Sequence, residues 1–399
     1  MKYPPAGVND DVDITWMPYQ IFLGRAQKQT AFAQLLSWLV CYSCKNIRRL
    51  LKVTKINKNL DFSIESLRGI AILCVVFIHS TTNEKFSNIN LFIDIFSKFA
   101  VPLFIFISGY FVYRQRELII KNFDLYILKS LKKIGIPYIV LSIIITLFTY
   151  NSYYDFLINI FFGTASVPYY FIIVIAQLYL LSKLILLFYE KRKKLLVKIA
   201  IGSTFFYSTL FYLQLFLKGS IFIPYFMWQF PNYLLYFVFG IDMAAKGYIY
   251  HLIYDLNNRR AFIYFLFGLL IALIEVKIHY IRNEQEGDYI ALASIVYQSI
   301  AVLYFWKLRG FLKNKLFIHL GYFSFGIFLL HKPILDIFKK VFNLEINILY
   351  GILSIILSVI VVLVFNKFYS EAERLIFRPL GHINCAATNG FAKLFQKRP

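Results

Sequence analysis

Charge is scarce in this chain: 16% of its 399 residues are charged, against 59% hydrophobic and 19% aromatic. With a mean hydropathy of +0.62, that shortage excludes an ordinary soluble domain. Between residues 64 and 369 no polar stretch is long enough to fold alone, so a single membrane domain is the simpler count. Cysteine is scarce too, with only Cys41, Cys44, Cys74 and Cys385, and four do not make a disulfide framework. Cys41 and Cys44 form a CxxC, but no second pair completes a zinc site and the surroundings LLSWLVCYSCKN are apolar, so no metal is expected. Cys385 lies too far from the C-terminus for a prenylation box. Nothing resembles a cleaved signal peptide, an internal repeat or a low-complexity linker.

Acidic residues are the scarcer sign, 21 against 43 basic, a formal charge of +22. The basic residues sit mainly in short segments between apolar runs, a pattern that reports membrane topology rather than a nucleic-acid partner. Runs of about 20 apolar residues, enough to cross about 30 Å of hydrocarbon, occur near 64–81, 91–112, 134–150, 168–189, 198–217, 229–246, 260–280, 288–306, 317–337 and 346–366. The expectation is an all-α integral membrane protein, a single bundle of about ten transmembrane helices. An even count puts both termini on one side, and 33 Lys and Arg fall on that side against five in the other loops (Lys85, Lys218, Arg282, Lys339 and Lys340). Both termini are therefore expected to be cytoplasmic, in a multi-pass protein of the inner (plasma) membrane. The short apolar piece at 155–163 reads as loop, re-entrant segment or interfacial helix.

Three regions follow. Residues 1–60 form a cytoplasmic N-terminal segment whose run TAFAQLLSWLVCYSCKNIRRLLK suits a helix lying on an anionic leaflet, or else is a tail of no specific role. Residues 61–370 form the transmembrane domain, and 371–399 a cytoplasmic tail.

The first apolar run, SIESLRGIAILCVVFIHS, carries Glu65, Arg68 and His79. Eleven residues separate Arg68 from His79, about 16 Å along a helix and within about 20° of the same direction. Glu65 lies about 40° off that line, one turn closer to the cytoplasm. Ionisable groups inside a bilayer face a bundle interior or a water-filled cavity, so the aligned Arg and His are a candidate functional track. Taken singly, Arg68 also reads as a snorkelling anchor and His79 as a hydrogen-bonded boundary residue.

SLRGIAILCVVFIH, with its Arg and a His eleven positions on, resembles the signature of the membrane-bound acyltransferase 3 family. VPLFIFISGYF (101–111), KSLKKIGIPY, YFVFGIDM and LGYFSFGIFLLHKPIL (320–335) resemble further blocks of that family in the same order, over roughly residues 60–370. The closest likeness is to the surface-polysaccharide O-acetyl and O-succinyl transferase type. The family's Arg-x-x-Arg after the second helix corresponds here to Lys129 and Lys132, which supply charge without the bidentate fork. An aromatic Trp-Phe block is PYYFIIV here.

The resemblance implies a membrane O-acyltransferase that moves an acetyl or succinyl group from acyl-CoA, most simply acetyl-CoA, to a hydroxyl of a cell-envelope polysaccharide or its lipid-linked precursor. Such chemistry needs a base for the hydroxyl proton and a positive or hydrogen-bonding group for the oxyanion. His79 suits the first task. Arg68 suits the phosphates of the donor or the bracing of the site, and Lys129, Lys132 and Lys133 add charge on the same side. His331 is a second candidate base or a structural hydrogen-bonder. Ser108 is an oxyanion donor beside Gly109, or a small-residue helix contact. Glu65 either starts its helix or orients Arg68. Asp242, Glu275, Lys277 and His279 line an acceptor path or mark helix ends. A transporter of a glycan or lipid-linked sugar is the alternative, although no paired interrupted helices appear in two halves.

Overall fold

The computed structural model describes residues 61–81, 88–149, 153–216, 229–281, 291–341 and 347–377. The N-terminal segment 1–60 with its amphipathic run and CxxC, the residues Lys85, Lys218 and Arg282, and the stretch 378–399 with Cys385 lie outside them.

All regular structure among the described residues is helical: α1 (Phe62–Thr81), α2 (Asn88–Ser97), α3 (Ala100–Arg114), α4 (Arg116–Lys121), α5 (Phe123–Thr149), α6 (Tyr153–Phe162), α7 (Tyr170–Phe216), α8 (Leu234–Ala244), α9 (Tyr248–Asp255), α10 (Asn258–Ile281), α11 (Leu292–Leu308), α12 (Lys315–Val341) and α13 (Ile348–Phe377). Single 3₁₀ turns stand at Val167–Tyr169 and Phe230–Asn232. The described part of each of the ten apolar runs falls mainly on helix. Among the described residues six stretches are long and apolar enough to cross a bilayer, with α8, α11 and Ile348–Val364 as shorter apolar helices. One of the six, Val167–Leu210, contains the run 168–189 and most of the run 198–217. Arg192 has non-helical backbone angles and interrupts α7 between them, within the basic stretch EKRKK.

The protein is thus an all-α membrane protein. Its outward faces agree: α10 exposes Phe262, Ile263, Leu266, Phe267, Leu270 and Ile274, a greasy stripe suited to lipid and not to water. The piece at 155–163 lies largely within α6, too short to span. Tyr138 of α5 donates its hydroxyl to the Ile160 carbonyl at 2.6 Å, and Gly163 ends the helix at φ +68°. The last helix runs to Phe377, past the end of its apolar run at 366. The sequence SEAERL favours continued helix.

Two helix seams organise the core. On the first, between α1 and α12, a Cβ on Gly69 would land on the Phe317 carbonyl, and one on Gly321 on the Glu65 carbonyl. The second is reciprocal in the same way: Gly109 of α3 meets the Phe237 carbonyl, and Gly240 of α8 meets the Phe106 carbonyl. In lipid no hydrophobic force drives helices together, so close backbone approach at small residues carries the association. Four of the glycines in the quoted blocks, Gly69, Gly109, Gly240 and Gly321, are these contact points.

Candidate functional site

The α1/α12 seam fixes the site. His79 is ten residues beyond Gly69, and His331 ten beyond Gly321. The two imidazole rings meet with centroids 5.3 Å apart. Because the glycine contacts and the histidine contact are displaced in the same sense along both chains, α1 and α12 run parallel. Equal counts of ten, about 15 Å of rise, then lift both histidines to one level.

His331 is fully buried, and its Nδ1 lies 2.9 Å from the Ile327 carbonyl. A carbonyl only accepts, so in the neutral ring Nδ1 carries the hydrogen and Nε2 keeps a bare lone pair. Nε2 has no hydrogen-bond partner among the described residues. His79, on the other side of the contact, is partly buried. Just beyond His331, Lys332 donates to Asp336 at 2.6 Å, and its charge is within electrostatic range of both histidines. Phe328 packs on the His331 ring at 6.2 Å. Phe171 of α7 packs on Phe328 at 5.3 Å and on Phe104 of α3 at 6.3 Å.

The lower end of the track is charged. Nη1 of Arg68 donates to both carboxylate oxygens of Glu65, at 3.0 and 3.2 Å. Their side chains are 30% and 5% exposed respectively. Glu65 therefore does more than start the helix: buried on the seam, it orients Arg68 and offsets its charge. Ser108 donates to the Phe104 carbonyl and faces the Tyr179 hydroxyl of α7, which is in electrostatic range of Arg68. The glycine contact of that block belongs to Gly109, leaving the Ser108 side chain toward α7. Arg68, Ser108 and the histidine pair are thus brought onto one track. Lys129, Lys132 and Lys133 are exposed on the first half of α5, at the surface.

The other acidic candidates have structural partners. Asp242 is buried and accepts from the Tyr189 hydroxyl at 2.7 Å and the Ile249 amide at 2.6 Å, tying α7 to α8 and to the start of α9. Glu275 accepts from the amides of Ala293 and Ser294 at 2.9 and 3.2 Å and from the Tyr212 hydroxyl. It caps α11. His279 packs against Tyr212 at 5.7 Å, and Lys277 is exposed.

Sequence reasoning passed over three features. Lys98 and Asp94, 3.7 Å apart with the lysine 1% exposed, lie inside one apolar run at an i, i+4 spacing that was itself a signal. Tyr179 is hidden in the run YFIIVIAQLYLLSKL. Tyr169 has a reason written elsewhere: Pro333 lacks an amide hydrogen, which frees the Leu329 carbonyl four residues back. The buried Tyr169 hydroxyl donates to that carbonyl at 2.8 Å. Tyr169→Phe should leave the carbonyl orphaned beside His331, costing about 1–3 kcal/mol. Thermal unfolding of the detergent-extracted protein reads the loss, and an unchanged melting curve would remove Tyr169 from this bracing role.

A paired-imidazole centre with one bare nitrogen, beneath a charged pair and above an oriented guanidinium, can take a proton from a hydroxyl and steady negative charge. No curated protein and no solved structure matches the chain. The family model described as an acyltransferase domain matches residues 61–367, a span that begins just before Glu65 and includes both histidines and both glycine seams. The chain therefore belongs to the acyltransferase 3 family and is a membrane acyltransferase.

Proposed function

We propose that the protein transfers an acetyl or succinyl group from acyl-CoA, with acetyl-CoA the simplest donor, to a hydroxyl of a cell-envelope polysaccharide or its lipid-linked precursor. The observation that carries this reading is the buried His79/His331 contact with the Nε2 lone pair of His331 held free of any described partner. In this reading the histidine pair removes the acceptor proton as the hydroxyl attacks the thioester carbonyl. The thiolate of CoA leaves and takes up a proton. Arg68, oriented by Glu65, grips a donor phosphate at the cytoplasmic mouth, while Lys129, Lys132 and Lys133 raise the local concentration of the anionic donor. The acceptor then approaches from the opposite end, past Lys332 and Asp336.

That arrangement goes with ten crossings, both termini in the cytoplasm and residence in the inner membrane, supported by the excess of basic residues in the segments between alternate runs. The test is direct. Membranes containing the protein are incubated with labelled acetyl-CoA or succinyl-CoA and envelope glycan, and the native glycan is compared with and without the gene. Label entering the glycan as an alkali-labile ester supports the reading. Label confined to lipid or water, with an unchanged glycan, overturns the acceptor assignment.

A further inference from the structure

Along the 16 Å or so of helix rise between Arg68 and His79, α1 packs against α3 and α12. The upper end is closed by the contacts among His79, His331, Phe328, Phe171 and Phe104, the lower by Arg68, Tyr179 and Ser108. Between them, on α12, stands Ser324. It precedes His331 by seven residues, so it lies within about 20° of the same face and about 10 Å toward the Arg68 end. Ser324 is 1% exposed, and its Oγ, like Nε2 of His331, has no hydrogen-bond partner among the described residues. Of the other buried serines, Ser354 and Ser358 turn back onto carbonyls of their own helix, while Ser208 and Ser294 share the unpaired state among the described residues but lie on other helices, away from the histidine seam. A buried hydroxyl left unpaired is costly unless something else completes it.

The polar groups named between the mouth and the histidines are neutral hydroxyls: Ser324 can both donate and accept, while Ser108, whose hydrogen goes to the Phe104 carbonyl, can still accept. They do not suit a phosphate. They suit a slender neutral chain bearing secondary amides, whose N–H and C=O groups each need a partner once out of water. We propose that Tyr179, Ser108 and Ser324 are binding residues for the amide-bearing arm of the donor thioester, aligning the arm from Arg68 up to the histidine pair. The inference rests on the acyl-thioester reading above and names the part of the donor that these hydroxyls hold.

Three donors of decreasing length separate the possibilities: acetyl-CoA, acetyl-pantetheine, which keeps the amide arm without phosphates, and the short S-acetyl-N-acetylcysteamine. In transfer assays on membranes bearing the full chain, Tyr179→Phe should raise KM about fivefold for acetyl-CoA and for acetyl-pantetheine, the worth of one net hydrogen bond, with kcat held. It should leave the short thioester unaffected. Ser324→Ala should raise KM for acetyl-CoA similarly. Arg68→Gln should weaken only the donor that carries phosphates. Equal loss across all three donors in Tyr179→Phe, or unchanged KM for the two longer ones, overturns the arm-binding role. Wild-type membranes that transfer from none of the three would remove the thioester reading itself, and this inference with it.

Discussion

Alanine at His331 should lower acyl transfer by about 10²–10⁴-fold, the usual worth of a positioned acid–base group, and alanine at His79 by a similar factor. Combining them should cost little more than either alone. The reason is the shared contact: rings with centroids 5.3 Å apart act on one proton, and groups that act as a unit are strongly non-additive. His331→Gln sharpens the point, because its amide can keep a link to the Ile327 carbonyl while removing the imidazole lone pair. It should be as inactive as the alanine variant. The measurement is initial-rate transfer of labelled acetyl groups by membranes with equal amounts of each variant. If the double variant instead showed the product of two separate losses, the histidines would be serving independent steps.

The second large effect is on folding. Gly69→Ala and Gly321→Ala each place a methyl group against partner backbone, which cannot swing aside as a side chain can. Each should cost about 1–3 kcal/mol or more, the range of overpacked cores, and should cut activity by shifting the histidines apart. Gly135 and Gly202 supply the opposite sign, since a Cβ at either meets nothing within 4 Å. Alanine there should stabilise the helix by roughly 0.5–1 kcal/mol. Thermal unfolding in detergent reads both. Seam and control variants melting together would mean that the glycines are not what holds α1 to α12.

Much of this was legible in the sequence because the bilayer allows few options. Apolar runs became helices, and the Arg68 to His79 phase held because an α-helix returns to register after eleven residues. What the sequence could not tell is which helices touch. Glu65 and Gly321 are separated by more than half the chain, and a glycine announces a close approach without naming the partner. Hydroxyls such as those of Tyr169 and Tyr179 vanish into apolar text, since tyrosine scores as an aromatic whether it faces lipid or a carbonyl. The lysines of α5 were legible only as added positive charge; that Lys129, Lys132 and Lys133 stand exposed at the surface is what the fold adds.

The matching intervals of ten residues from Gly69 to His79 and from Gly321 to His331 make segment length itself a paired property. One residue inserted into either interval would rotate its histidine by about 100° and raise it by about 1.5 Å, swinging it off the seam. A compensating insertion in the other interval restores height but turns the second ring away as well. Neither stretch can therefore gain or lose a single residue without parting the two rings, whatever its composition.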